Sequence, residues 1–439
     1  MRTMQRTGLF LASMVVVHLC SHIRSAAQAG YQPGDVIVGA WDTKSQQYSM
    51  ILGITPQGRL YTLVAQMPFL VYSIIPAEDN RAVLAAGSTF TGQGSRALAL
   101  IRADGTVRYR LPGHIGLSVT GLDVDGGGNL IVTNWAKHTG DFSVLKLAGI
   151  HATTLYDAKQ IPNAMGSGLD PGSGDLIIGS QHPTQYSTCT LLRAGCTGSI
   201  SASTLTTLTG IVPWSFTIWL RHDPDTDTMW LTRSYSRIDR LALSSPATVT
   251  KLHAGAPLGT RAGLPDRDPR DGRLVIPTFD NSPPAAPPRV LRFDPVNKSY
   301  QLVSTLSGVV PLAATVAGTR HLCGLTEAVR GLPYTMLVSS PGEPGAVYAV
   351  AMSFGIHPGI PAGSRKIHLN PDPLFHFSLA GGNIFSGFQG VLDSRGEGLA
   401  AVLIPRHPNL SGVRLFAAAI TMVNHRISVI STPLGVTIQ

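Results

Sequence analysis

Apolar residues fall in short, β-branched, often alternating runs, separated by clusters of Gly, Asp, Asn, Ser and Pro. Such runs predict β-strands joined by tight turns. One phrase recurs: a turn rich in Asp and Gly, an apolar strand, then small or aromatic residues. It reads GDVIVGAWD at Gly34 to Asp42, DNRAVLAAGS from Asp79, GGNLIVTNW from Gly127, SGDLIIGSQ from Ser173, TDTMWLTRS from Thr226 and DGRLVIPTF from Asp271. With Asp35, Arg81, Asn129, Asp175, Thr228 and Arg273 taken as equivalent, the steps are 46, 48, 46, 53 and 45 residues. That is the period of a four-stranded propeller blade, roughly 40–50 residues.

The flanks agree. A further strand precedes each phrase from the second onward: VYSIIPAE, SVTGLDVD, MGSGLDPG, FTIWLRHDP and, more weakly, RAGLPDRDP. Two more follow, as in RALALIRA and TVRYRLPG, joined by the hairpin signal Asp104-Gly105. Each blade thus reads a–b–c–d. The first begins at strand b, and a ring left open there would expose a sheet edge. Val309 to Val316 can supply the missing strand. The expected fold is all-β, a six-bladed β-propeller over residues 30–310; a seventh blade from about Pro311 to Ala349 is the alternative.

GLDVDGGGNLIVTNW (Gly121 to Trp135) and GLDPGSGDLIIGS (Gly168 to Ser180) resemble the NHL / SMP-30-like six-bladed propellers. The resemblance implies the fold; such propellers host lactonases, lyases and binding modules. A lactonase of that type places a Glu at its central metal, and here the propeller stretch has only Glu78, in an a–b turn. After Pro311 the repeat ends. PYTMLVSS, AVYAVAMSFG, KIHLNPDPLFHFSL, GLAAVLIP, VRLFAAAITM and RISVIST predict a β-sandwich over 311–439. HPGIP (His357 to Pro361), LNPDPLF, FSGFQGVLDSRGEG and SGVRLFAAAITM resemble an uncharacterised sandwich module of secreted bacterial repeat proteins, which implies attachment, sorting or stability.

Composition narrows the class. Of 439 residues, 13% are charged and 44% hydrophobic, which excludes a disordered chain. Arg2 and Arg6, the apolar run Gly8 to Cys20 and Ala27-Gln28-Ala29 read as a secretory signal over 1–29, cut after Ala29. A retained anchor and a lipoprotein site at Cys20 are the alternatives; the apolar run is short of the ~20 residues of a membrane span. The expectation is a secreted, extracellular or periplasmic protein without a membrane span. Loss of the leader lowers the net charge from +9 to +6, and no Lys/Arg block suggests nucleic acid. No feature specifies an oligomeric state. Cys189 and Cys196 suit a disulfide closing a local hairpin, with a two-Cys metal site as the alternative and Cys323 a buried thiol.

There is no G-x-S-x-G elbow, H-E-x-x-H or P-loop. The Asp-rich turns, such as Asp123 to Asn129, resemble calcium loops but also suit the a–b turn itself, where Asp and Gly cap and tolerate left-handed backbone. The b–c and d–a loops share the opposite face around the channel mouth. They carry His114, His138, His182 and Asp280 as candidate catalytic groups, able to hold a divalent metal or act as acid and base. Trp41, Asp42, Trp135, Trp214, Tyr235, Arg237, His253 and Arg261 are candidate ligand contacts, suited to a carbohydrate or another small molecule. The expected function is binding of carbohydrate or cell-surface material. A lyase or hydrolase at the same mouth and a purely structural surface protein are the alternatives, and packing of Trp41 and Trp135 between blades competes with a ligand role.

Overall fold

The computed structural model describes residues 30–439 apart from 44–47, 78–81, 90–97, 110–117, 137–140, 149–150, 171–172, 182–187, 196–202, 210–218, 224–227, 234–236, 244–246, 255–260, 264, 269–270, 280–286, 319–320 and 364. The recurring phrases form the second strands of successive antiparallel sheets: Val36–Asp42, Ala82–Thr89, Leu130–Ala136, Asp175–Gln181, Thr228–Arg233 and Leu274–Phe279. The inner strands before them are Phe69–Pro76, Ser118–Val124, Ala164–Leu169 and Trp219–Asp223 for the second to fifth sheets. In the sixth, the inner strand is split into Arg261–Ala262 and Asp266–Arg267. The first sheet takes its inner strand from Val309–Val316, which pairs antiparallel with Val36–Asp42 and ties the two ends of the repeat region together. Each inner strand touches that of the next sheet, and the sixth touches Val309–Val316, so the ring closes.

The alternation explains why these strands stack. In Val36–Asp42, Ile37 faces the second sheet with Phe69, Ile74 and Val83, whereas Val36, Val38 and Ala40 face the sixth with Val275 and Val290. Further apolar layers fill the remaining interfaces between neighbouring sheets, so each sheet is apolar on both faces and is held by its two neighbours. Each fully buried Val, Leu or Ile is worth about 1.5–3 kcal/mol. Near the axis, space runs out. A Cβ on Gly121 would lie 2.9 Å from Ser167 N, and one on Gly168 2.9 Å from Leu220 O. The glycines that open the two family-like phrases therefore let one inner strand approach the next.

The proposed seventh blade does not form. Leu322–Gly324 and Pro333–Ser339 join Glu397–Leu403 and Phe385–Ser386 in one sheet. Val347–Ser353 joins Arg414–Val423, Gln389–Val391 and Arg426–Ile430 in another, with Leu434–Thr437 on Arg414–Val423. Tyr334, Met336, Val350, Met352, Val402 and Ala417 are buried between the two sheets. Val309–Val316, which straddles the expected 310/311 boundary, pairs with Val36–Asp42 of the first sheet. The stretch read as a strand around LNPDPLFHFSL contains a helix, Pro373–Ala380. Asp372 caps it, accepting from Phe375 N at 3.0 Å, Pro373 opens its first turn, and Gly381 ends it at φ 73°.

The expected Cys189–Cys196 hairpin is not formed. Residues Thr188–Gly195 are one continuous strand paired on both sides. The six steps from Cys189 to Gly195 span roughly 20 Å at about 3.3 Å per residue, whereas bridged Cα atoms lie within about 7 Å. Cys196 itself lies outside the described residues. Cys189 is buried between the fourth and fifth sheets, and Cys323 is buried in the sandwich.

Candidate functional site

Strand direction puts the ends of the second and fourth strands and the starts of the inner and third strands on one rim. Trp41 and Asp42 end the second strand of the first sheet, and Trp135 stands near the end of the equivalent strand of the third. Arg237 opens a third strand, His253 stands near the end of a fourth and Arg261 opens an inner strand. Trp41 and Trp135 occupy matching places: Trp41 is paired with Ser49 and Val310, Trp135 with Phe142 and Ser118. The indole N–H of Trp41 is buried and has no hydrogen-bond partner among the described residues, unusual for a Trp donor. Arg237 is fixed by its Nε, which donates to the fully buried Asp239 carboxylate at 2.7 Å. The candidates His114, His138, His182, Asp280, Trp214 and Tyr235 lie outside the described residues. Among the described residues, no group of three His, Cys, Asp or Glu side chains is placed to hold a metal.

The other rim is built differently, and sequence reasoning missed it. Where the inner strand gives way to the a–b turn stands Asp125, Asp170, Asp223 or Asp268 in the third to sixth sheets. Each is paired with a base on the third strand of its own sheet. Lys146 Nζ lies 3.0 Å from Asp125, Arg193 3.7 Å from Asp170, Arg240 3.7 Å from Asp223 and Arg292 2.5 Å from Asp268. The bases recur at steps of 47, 47 and 52, the same period as the apolar phrase. In the first sheet the Tyr61 hydroxyl donates to Asp35 at 2.5 Å instead, and burial pushes that phenol up, with Asp35 adding to the shift.

These staples also account for the loop that resembles a calcium site. Asp125 Oδ1 accepts from Gly127 N and Asn129 N, both at 2.9 Å, Asn129 Nδ2 reaches both carboxylate oxygens at 3.0 Å, and Lys146 supplies the positive charge. Burial pulls the Lys146 ammonium down, but Asp125 and Glu327 outweigh it and hold the group above the ordinary lysine value.

On this side one arginine bridges three sheets. Arg221, from the fifth sheet, donates to Leu122 O at 3.1 Å and stands 4.0 Å from both Asp123 of the third sheet and Asp266 of the sixth. Burial raises Asp266, with Arg221 opposing, and the Thr315 hydroxyl donates to its carboxylate. The sandwich covers this rim. Tyr334 donates to Gly126 O at 2.7 Å, and Glu327 receives Asn129 Nδ2 and Lys146 Nζ, both at 3.3 Å. Between the two units lies a cleft of about 870 Å³, lined by Arg267, Asp271, His321, Glu343, Lys366 and His368 among others.

No family model matches the chain, and no curated protein matches it. Solved structures give a protein from Lactobacillus plantarum, with 12% identity over 64% of this chain and 99% of that one and a TM-score of 0.43. They also give a catalytically inactive virginiamycin B lyase from Staphylococcus aureus with quinupristin, with 13% identity over 70% of this chain and 94% of that one and a TM-score of 0.39. These likenesses concern the fold alone.

Proposed function

We propose that this chain is an exported ligand-binding propeller that takes carbohydrate or cell-surface material at the rim opposite the sandwich. One observation carries the reading. The ring closes, its a–b rim is covered by the sandwich and stapled through Arg221, and the remaining mouth collects residues of four sheets. The position of Trp41, Asp42, Trp135, Arg237, His253 and Arg261 at or near strand ends on that rim supports the reading. Aromatic, cationic and carboxylate residues carried on one rim suit sugar rings and their hydroxyls. The unpartnered indole N–H of Trp41 supports a polar ligand there. The N-terminal segment, read as a leader cut after Ala29, supports export. The NHL-like phrases support kinship with propellers of that group.

The test is binding of the purified mature protein to a polysaccharide panel and to isolated cell envelopes. Trp41→Ala and Arg237→Ala are each expected to weaken binding at least tenfold while leaving the unfolding transition in place. Saturable binding that neither change alters would overturn the proposal. Turnover of a bound glycan, lost on His138→Ala together with a stoichiometric metal, would replace it with the lyase or hydrolase reading built on His114, His138, His182 and Asp280.

A further inference from the structure

The cleft between the propeller and the sandwich lies at the a–b rim, opposite the rim that carries Trp41 and Arg237, and its chemistry differs. At about 870 Å³ it is within the size range of small-molecule sites and about fourfold larger than the neighbouring crevice of about 210 Å³. Both units contribute to it. The propeller brings Arg267, Asp271 and the backbone of Gly34, Gly272 and Gly318; the sandwich brings Lys366, His368, Glu343 and the hydroxyl groups of Ser340, Ser428 and Ser431.

Its carboxylates are already engaged. Glu343 accepts from Ser340 Oγ at 3.1 Å, from Thr421 Oγ1 at 2.5 Å and from Ser428 Oγ. Asp271 stands 3.8 Å from Arg292 and 4.0 Å from Arg273. Of the cations, Arg267 faces Asp223, Asp268 and Asp271, and Lys366 is the least compensated. Arg365 spends its guanidinium on two backbone carbonyls, Ser428 O at 2.7 Å and Ile427 O at 2.6 Å. Lys366 has no carboxylate within ion-pair distance among the described residues. Arg267 is paired with Asp223 at 3.3 Å and nearly buried. Glycine backbone, three cationic side chains (Arg267, Arg365 and Lys366) against two carboxylates (Asp271 and Glu343), and a lining without Phe, Tyr or Trp suit a hydrogen-bonding, anionic solute.

We infer that this cleft is a second binding site, for a sugar-sized hydroxylated anion carrying a carboxylate or phosphate group, with Lys366 as its anchoring cation. His368 fits the same picture. It is buried, and burial together with Arg267 and Lys366 holds its imidazole down to about 4, so at neutral pH it contributes a neutral ring rather than a further positive charge. A ligand seated here touches both units and stabilises their docking by mass action.

The test uses D-glucuronate and D-glucose 6-phosphate as probes and D-glucose as the neutral control, titrated calorimetrically into the mature protein. At least one anionic probe is expected to bind saturably at low ionic strength, and glucose at least tenfold more weakly. Lys366→Glu is expected to abolish that binding, Lys366→Arg to retain it within about threefold, and Trp41→Ala, at the far rim, to leave it unchanged. Preference for the phosphate over the carboxylate probe, or the reverse, assigns the anion. Failure of both anionic probes to bind, equal binding of glucose, or binding indifferent to Lys366→Glu would each overturn the inference. Loss of binding in Trp41→Ala alone would assign the probe to the open mouth and overturn it as well.

Discussion

Replacing Gly126 with Ala tests the docking of the two units directly. The a–b turn of the third sheet carries three consecutive glycines, and Gly126 is the one that meets the sandwich. A Cβ there would lie 1.9 Å from Gly435 O and 2.8 Å from Gly435 C. A carbon–oxygen contact needs about 3.3 Å, so the backbones must part by more than about 1 Å. Both obstructing atoms are backbone, so no rotamer change relieves the clash. The hydrogen bond from Tyr334 to Gly126 O, 2.7 Å long and buried, breaks with that movement. Leaving its donor and acceptor unsatisfied costs about 1–3 kcal/mol. With the strain of overpacking, the expected destabilisation of docking is about 3 kcal/mol. Urea denaturation followed by hydrogen exchange at 322–339 and 434–438 reads it: those segments lose protection before the propeller strands do. Gly345→Ala is the control, because a Cβ there meets nothing within 4 Å and only its positive φ is penalised, by about 1 kcal/mol. If the two variants unfold alike, the sandwich is not seated on this turn.

Other outcomes follow from the same contacts. His368 has a folded pKa of about 4 against an ordinary 6.5, so the unfolded chain takes up the proton first. Stability is complete above about pH 6.5 and is lost as pH falls toward 4, by about 3 kcal/mol, and His368→Gln flattens that part of the urea-midpoint profile. Burial sets most of this value; Arg267, Lys366 and His222 lower it further, and Asp223 raises it. Lys146→Met leaves Asp125 and Glu327 facing each other without their shared cation and is expected to cost about 1–2 kcal/mol at low salt and less at high salt, read by thermal unfolding at two ionic strengths. Cys196→Ser is expected to leave the melting temperature unchanged under oxidising conditions, since the extended strand Thr188–Gly195 runs about 20 Å away from Cys189. Cys189→Ser places a hydroxyl in the buried layer between the fourth and fifth sheets and lowers stability by about 1–2 kcal/mol.

The ring was legible because its signal is periodic. Strand b repeats every 45 to 53 residues, and the closing strand was named by the need to cover an open edge; Val36 duly faces Val316. What escaped reading has a physical reason in each case. The sixth inner strand scored weakly because Pro265 and Gly263 interrupt it, and the structure splits it there. The helix Pro373–Ala380 is hidden by the apolar content of PLFHFSL, which suits a strand equally well; Asp372 before Pro373 is its cap. Cys189 and Cys196 suggested a hairpin because spacing alone does not say whether the chain turns between them. The Asp–base staples carry the blade period too, and a search for charges at that period would have found Lys146, Arg193, Arg240 and Arg292.

The docking of the sandwich is the least legible feature and the one on which the functional reading turns. Nothing in the spacing of Gly126, Gly324 and Gly435 marks them as an interface, since glycine in a turn is explained locally. Yet Gly324 also stands where a Cβ would lie 2.1 Å from Gly126 O, so two glycines of the sandwich meet one turn of the propeller at backbone distance. Contact of that kind tolerates no side chain and little sliding, unlike the charged rim around Glu327, which water and salt can loosen. The docking surface therefore has a rigid backbone point at Gly126 and a polar, adjustable flank at the cleft around Lys366. A ligand in that cleft acts at the adjustable flank, strengthening docking without moving the pivot. Occupancy there is then expected to raise hydrogen-exchange protection at 426–432 more than at 434–438, a gradient that a uniformly tightened interface does not produce.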